Sequence, residues 1–270
     1  MKKGLLKKIF AISIVGVMSL SMMACGNKDK SVNENKGELV VGLSADYAPY
    51  EFHAMIDGKD TVVGFDVKLA EEIAKDMGKT LKIKEMKFDS LLGALSAGQI
   101  DMIISGMNPD PERAKKVDFS DIYYKAQHSV LVKKDDLNKY KTVGDLKDAK
   151  VGAQMGSTQA DIIENVIKSK DPTLLSNVNN LILELKSGKI DALVSEKPVG
   201  EMAIKTNNEL ALSDIESEEE SGGSAVAVKK GEKELVEQVN KTIKKLKDNG
   251  DLDKFIVEAN ELSSKQIDGK

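Results

Sequence analysis

The chain has 270 residues, 41% of them apolar, with a net charge of −4, five prolines and no tryptophan. That length and composition fit a globular protein of one large or two small domains and exclude a disordered or fibrous chain. The first 24 residues hold four lysines and no acid, so the rest stands near −8. Such an acidic balance argues against nucleic acid as the main partner, because phosphate binding needs a basic face.

The chain opens with a basic stretch at 1–8 and an uncharged apolar stretch at 9–23. The apolar part falls short of the ~18 or more residues that read as a membrane span. It runs into Met22-Met23-Ala24-Cys25-Gly26, and a basic start, an apolar run and a small residue before the cut describe a secretory signal peptide over 1–24. The cysteine just after the cut resembles a bacterial lipobox, which implies a lipoprotein acylated at Cys25 with palmitate-type chains. Cys25 is the only cysteine, so no internal disulfide is possible. Acyl burial contributes ~0.8 kcal/mol per methylene, so two chains anchor stably. Residues 25–36 read as a polar, flexible tether. The expected location is the extracellular face of the cell membrane, lipid-anchored.

A strand is expected at 38–43, then a hairpin with Asp57-Gly58 at its tip. A helix over 65–77 stops at Gly78, followed by a strand at 81–86, a helix at 89–97 and a strand at 100–104. Strands alternating with helices imply an α/β fold whose mostly parallel sheet is covered on both faces. The sequence GQIDMIIS at 98–105 recurs as GKIDALVS at 188–195, an offset of 90. The match extends backwards, with Asp89, Leu91 and Leu95 aligning on Asn179, Leu181 and Leu185. A looser echo pairs VVGL at 40–43 with KVGA at 150–153. Each copy reads as a capped helix, a glycine and an apolar strand ending in serine, so the α/β lobe is duplicated, the second copy spanning 151–193. Apolar residues at 235, 236, 239, 243 and 246 have helical spacing, and a last helix covers 251 to about 262. Ligands in open α/β sheets bind beyond the carboxyl ends of strands, which directs attention to the loops after Leu43, Ile104, Ala153 and Val194.

Arg113 stands out in those loops. Of 40 basic residues 39 are lysine, so the one arginine suggests a position needing a planar fork, which meets a carboxylate with two parallel N–H···O bonds. It follows Ser105, Gly106, Met107 and Asn108. Gly106 permits close backbone approach. Asp110-Pro111 reads as a helix cap followed by proline at the first helical position. On the residues alone, Arg113 is equally open to a structural ion pair.

Taken together, ADYAPYEF at 45–52, GFD at 64–66, Phe88, GQID at 98–101, Glu112-Arg113, DFSDIYY at 118–124, GST at 156–158 and 188–196 resemble the family-3 extracellular solute-binding proteins of ABC importers for polar amino acids. The resemblance covers 39–255. It implies a two-lobe periplasmic-binding-protein-like fold with an interlobe cleft and a two-stranded hinge, lobe 1 being 37–124 plus 224–270 and lobe 2 being 125–223. Arg113 would clamp the ligand α-carboxylate. Gly156, Ser157 and Thr158 would add N–H and hydroxyl donors at a helix start running to about Lys168. Glu196, where aspartate is usual, would meet the α-ammonium, with the Ser105 carbonyl and Asn108, where threonine is usual, completing that shell. Tyr47 and Phe88 would sandwich the ligand side chain. Ser44, Asp46, Glu51, Met107, Gln154 and Gln159 are candidates for specificity.

The implied function is a substrate-binding lipoprotein that captures a polar free amino acid, glutamine-like or basic, and delivers it to ABC permease subunits. Serine at position 44, where cation-specific relatives place aspartate, mildly disfavours a strongly basic ligand, although Asp46 and Glu51 lie near. The pattern is chemically sound, since burying a zwitterion requires an opposite charge for each end. No cofactor, metal or catalytic residue is expected: His53, by the hairpin, and His128, near the lobe crossover, lack metal spacing, and no nucleophile–base pair is visible. An exported dehydratase or an amino-acid sensor without transport are the alternatives on the same fold.

Overall fold

A computed structural model describes residues 37–215 and 222–267. Cys25 and the segments read as a leader and a tether lie outside the described residues.

β1 (Glu38–Leu43) leads through β2 (Asp46–Tyr47) to a hairpin of β3 (Glu51–Ile56) and β4 (Lys59–Val63), joined by Asp57-Gly58 as expected. Helix α1 (Phe65–Asp76) presents Phe65, Leu69 and Ile73 to the core. β5 (Thr80–Glu85) pairs parallel with β1. A 3-10 turn at Phe88–Ser90 opens α2 (Leu91–Ser96), so the helix expected at 89–97 begins as a tighter coil. β6 (Met102–Ile103) is shorter than the expected strand at 100–104. Its pairing with β1 nevertheless extends to both flanks, through the Asp101 and Ile104 N–H groups on Val40 and Gly42 carbonyls. α3 (Pro111–Ala114) and β7 (Val117–Phe119) follow.

The chain then builds a second sheet. β8 (His128–Lys133), β9 (Lys150–Gln154), α4 (Thr158–Ile162), β10 (Asp171–Leu175), α5 (Val178–Ser187), β11 (Ala192–Glu196), α6 (Lys197–Thr206) and β12 (Leu210–Leu212) come in order. A π-helical turn extends α4 to Ile167, and Lys168 ends it in the left-handed conformation. β13 (Ala227–Lys229) returns to the first sheet, and α7 (Lys233–Asp248) and α8 (Asp251–Ile267) finish the chain, both longer than expected. Among the described residues no helix is long and apolar enough to cross a membrane.

The two sheets have one plan. The first has the order β5-β1-β6-β13-β7 and the second β10-β9-β11-β8-β12. Three neighbouring parallel strands open each, and the fourth position is antiparallel in both. That fourth strand is the first one made after the chain crosses between the sheets. The two crossings touch, Ser224 N–H donating to the Tyr124 carbonyl at 2.7 Å. The looser sequence echo also has a packing basis. A Cβ on Gly42 would stand 2.4 Å from Ile100, and one on Gly152 would stand 2.7 Å from Ile190 and 3.0 Å from Leu181. In both sheets the second strand of the order, β1 or β9, therefore carries glycine where the repeated isoleucine packs on it, at a separation that a Cβ would occupy only if that isoleucine moved.

The core is mostly aliphatic, with Tyr47, Tyr50, Phe65 and Tyr123 among its aromatic members in the first lobe. Leu39, Val41, Leu69, Ile73 and Met102 are fully buried in one cluster, and Val132, Leu146, Val151 and Ala192 in another. The first cluster also takes in Val178 and Val199 of α5 and α6, so apolar side chains of the second lobe pack directly on the first.

Candidate functional site

The loop after β6 carries most of the first lobe's polar groups. Gly106 has φ 55, and a Cβ there would press on the Tyr47 ring at 3.3 Å, so the backbone turns where a side chain would not fit. Its N–H donates to Asp66 Oδ2 at 2.7 Å, and Ser105 Oγ donates to Glu51 Oε1 at 2.6 Å while accepting Ser44 N–H at 3.0 Å. Asp110 then caps α3, accepting the N–H groups of Glu112 and Arg113, with Pro111 at the first helical position. That is the cap read from the sequence.

Arg113 is buried, and its guanidinium is held on several sides. Nε pairs with Asp110 at 2.8 Å, Nη1 donates to the Asn108 carbonyl at 2.6 Å and Nη2 reaches the second lobe at the Gly156 carbonyl, 2.8 Å away. It also stands 5.6 Å from the centre of the Phe88 ring, within cation–π range. These bonds engage three of the five N–H donors of a guanidinium. Burial lowers its pKa without threatening its charge.

Glu196 ends β11 and is fully buried against the first lobe. Tyr50 Oη donates to its Oε2, and Asn108 Nδ2 donates to its Oε1 at 2.8 Å. Its own N–H donates to Tyr47 Oη at 3.2 Å. Thr158 Oγ1 donates to Asn108 Oδ1 at 3.1 Å, so Asn108 is bonded to the second lobe at both ends of its amide. Burial raises the Glu196 carboxyl to about 7, against the opposing pull of the Tyr50 and Asn108 hydrogen bonds.

Thus Arg113, Asn108, Tyr47, Glu196, Thr158 and Gly156 converge across the interlobe cleft, with Phe88 against Arg113, and Ser105 and Gly106 beneath. Ser157 differs from the expectation. Its hydroxyl donates to the Gln154 carbonyl at 2.7 Å and accepts the Ala160 N–H, so it caps α4 rather than aiming a proton into the cleft. Gln159 bonds to the buried His128 at 3.2 Å. His53 is at the hairpin, as expected, and lies between Asp60 and Glu85. Among the described residues no group of histidine, cysteine, aspartate and glutamate is built to hold a metal.

Three features escaped sequence reasoning. Tyr50, the donor to Glu196, was given no role beyond its place in the ADYAPYEF run. Asp66 bonds to both Gly106 and Tyr123. Its signal was present: it sits on the buried face of α1 with Ala70 and Ile73, where an acid at helical spacing is out of place. Asp46 crosses to the second lobe, accepting the Val178 N–H at 2.7 Å. The buried charges are therefore unbalanced. Among the described residues Asp46, Glu51, Asp66 and Glu196 are all buried, against one buried lysine or arginine, Arg113. Glu51 Oε2 and Asp66 Oδ1 are buried with no hydrogen-bond partner among the described residues. Burial lifts Asp66 to about 6, while burial and the neighbouring Asp66 lift Glu51 well above the usual carboxylate range.

Bacterial extracellular solute-binding proteins of family 3 match residues 39–258. The arginine-binding extracellular protein ArtP of Bacillus subtilis (strain 168) is 37% identical over 93% of this chain and 96% of its own length. A crystal structure of an amino acid ABC transporter substrate-binding protein, AbpA of Streptococcus pneumoniae, bound to L-arginine, superposes with a TM-score of 0.81 at 42% identity, covering 84% of this chain and 96% of that one. An ancestral arginine-binding protein bound to glutamine gives a TM-score of 0.74 at 37% identity, covering 81% and 96%. Matches of this extent join the two-lobe architecture to one lineage, and the chain belongs to the family-3 bacterial extracellular solute-binding proteins.

Proposed function

We propose that this protein captures a free amino acid with a cationic side chain, arginine first, and delivers it to the permease of an ABC importer. The observation that carries the reading is the surplus of buried carboxyls over the one buried guanidinium, which is itself already paired with Asp110. Even though burial favours the neutral form of Glu51, the buried acids outnumber the buried base, and a ligand with a second positive charge redresses that balance. Arg113 offers its remaining donors to the ligand α-carboxylate, helped by the start of α4. Glu196, Asn108 and the Ser105 carbonyl take the α-ammonium. Tyr47 and Phe88 flank the aliphatic stem. Glu51, beside Ser105, supplies the acid that Ser44 does not. The arginine-binding relative and the arginine-bound homologue support this choice, and the ancestral protein holding glutamine supports a weaker, neutral second ligand.

On this reading residues 37–124 with 224–270 form one lobe and 125–223 the other, and ligand capture closes them about the touching crossings. The protein binds and releases without catalysis. The signal over 1–24 directs export and is cut off, and the acylated Cys25 keeps the protein at the outer face of the membrane. Calorimetry of the purified protein with the twenty amino acids tests the function: arginine should bind most tightly, glutamine more weakly and acidic amino acids not at all. Tighter binding of glutamate than arginine would sink the cationic assignment. Incorporation of a palmitate analogue, lost in Cys25→Ser, tests the anchor.

A further inference from the structure

We propose that Asp46 is a positioning residue for lobe closure: its carboxylate latches the start of α5 and holds the closed cleft without touching the ligand. The inference rests on the capture reading above. Asp46 sits on β2, beside the first sheet, and is 6% exposed. Oδ2 accepts the Val178 N–H at 2.7 Å, and Oδ1 accepts Gln154 Nε2 at 3.3 Å and Ser44 Oγ at 2.9 Å. Two of these three donors belong to the second lobe.

The α5 terminus suits the role. The first N–H groups of a helix have no intrahelical partner, and the positive end of its dipole favours a carboxylate. Asn177 caps α5 through the Asn180 N–H, which leaves the Val178 N–H to Asp46. Gln154 also donates to the Ser176 carbonyl at 3.3 Å, fixing the approach to α5 from the end of β9. Beside the latch lies an apolar seam, with Val178 and Val199 buried in the cluster that contains Tyr47 and Tyr50 and Ile182 packed against it. Opening the lobes would wet this seam and strip Asp46 of two donors at once. The contact is also independent of the ligand's chemistry, because both carboxylate oxygens already have protein donors.

The test compares wild type with Asp46→Ala and Asp46→Asn, using L-arginine and L-glutamine as probes. Charge-assisted hydrogen bonds of this kind correspond to about a tenfold change or more. Asp46→Ala should therefore speed dissociation of both ligands by about tenfold, with association little changed. Asp46→Asn, whose amide oxygen can still accept from Val178, should fall between. Hydrogen exchange at the Val178 amide should be slowed by ligand in wild type and not in Asp46→Ala. The latch is overturned by unchanged dissociation, by equal Val178 protection in both proteins, or by a loss confined to arginine, which would make Asp46 a reader of the ligand side chain. Should Asp46→Ala fail to fold by circular dichroism, Asp46→Asn carries the same comparison. Should wild type bind no amino acid, the capture reading falls, and Val178 exchange in the free proteins decides the latch alone.

Discussion

Glu196 and Asp46 are two buried carboxyls that bridge the lobes in opposite directions. Glu196 reaches from the second lobe to side chains of the first, Tyr50 and Asn108, and Asp46 reaches from the first lobe to the backbone of α5 in the second. The difference lies in the partners. A tyrosine hydroxyl and an asparagine amide can turn away and let an ammonium take their place. A backbone N–H at a helix start cannot. Burial has pushed Glu196 to about 7, so its charge is poised to be settled by what binds, whereas Asp46 is raised by burial but pulled back by its bonds from Val178, Ser44 and Gln154. One carboxyl is arranged to exchange partners and the other to keep them.

The largest effect is expected at Arg113, the proposed clamp for the ligand carboxylate. Arg113→Ala should leave that carboxylate unpaired, and losing one partner of a buried pair typically costs about 3–5 kcal/mol. Calorimetry on the folded variant should show arginine and glutamine binding reduced together; unchanged affinity would remove Arg113 from the site. Glu196→Gln should come next, weakening both ligands by about 2–3 kcal/mol as a charge-assisted bond is lost. Wild-type affinity should also decline as pH falls below about 7, because a proton must leave Glu196 to make way for the ammonium. A profile just as steep in Glu196→Gln would assign that titration to another group.

The free protein should show the reverse trend. Glu196 and Asp66 stand at about 7 and about 6, above their ordinary values of 4.5 and 3.8. The folded state thus binds protons more tightly than the unfolded one, and the stability these groups contribute is complete below about pH 4 and lost as pH rises through 6 and 7. Chemical denaturation without ligand should record a decline of several kcal/mol over that window, at about 1.4 kcal/mol for each pH unit between the folded and ordinary values. Glu196→Gln should flatten its upper part, and a wild-type stability that rises from pH 5 to 8 would contradict the burial of these acids.

The sequence made the duplicated plan legible because packing repeats it. Glycine under isoleucine and helix before strand leave the same marks in each lobe, and Gly42 and Gly152 meet the same kind of neighbour. Arg113 was legible for a different reason, as one arginine in a chain that otherwise uses lysine, behind a cap built on Asp110 and Pro111. What could not be read were pairings between distant residues. Tyr50 and Glu196 are separated by 146 positions and Asp46 and Val178 by 132, and no local periodicity encodes such partners. Ser157 was assigned by its position at a helix start, a place that serves an anion and a cap equally well, and its hydroxyl went to the cap. Asp66 showed its acid on an apolar helix face, but only the loop it pins explains why it is there.

The smallest predicted effect separates the two carboxyls most sharply. Tyr50→Phe removes a donor from Glu196 and leaves Asp46 untouched. Because that bond lowers the Glu196 pKa, its loss should carry the carboxyl further above 7. The fall in ligand affinity on acidification should then begin at a higher pH than in wild type and recover fully at more alkaline pH. Fold stability should drop by about 1 kcal/mol, the usual worth of one hydrogen bond. Ligand dissociation at alkaline pH, where Glu196 is charged in both proteins, should match wild type, because the ammonium has by then replaced the tyrosine. Coincident pH profiles would mean that Tyr50 does not set the charge of Glu196. Faster dissociation at alkaline pH would mean that the hydroxyl stays in the bound site, making Tyr50 part of the closure apparatus alongside Asp46.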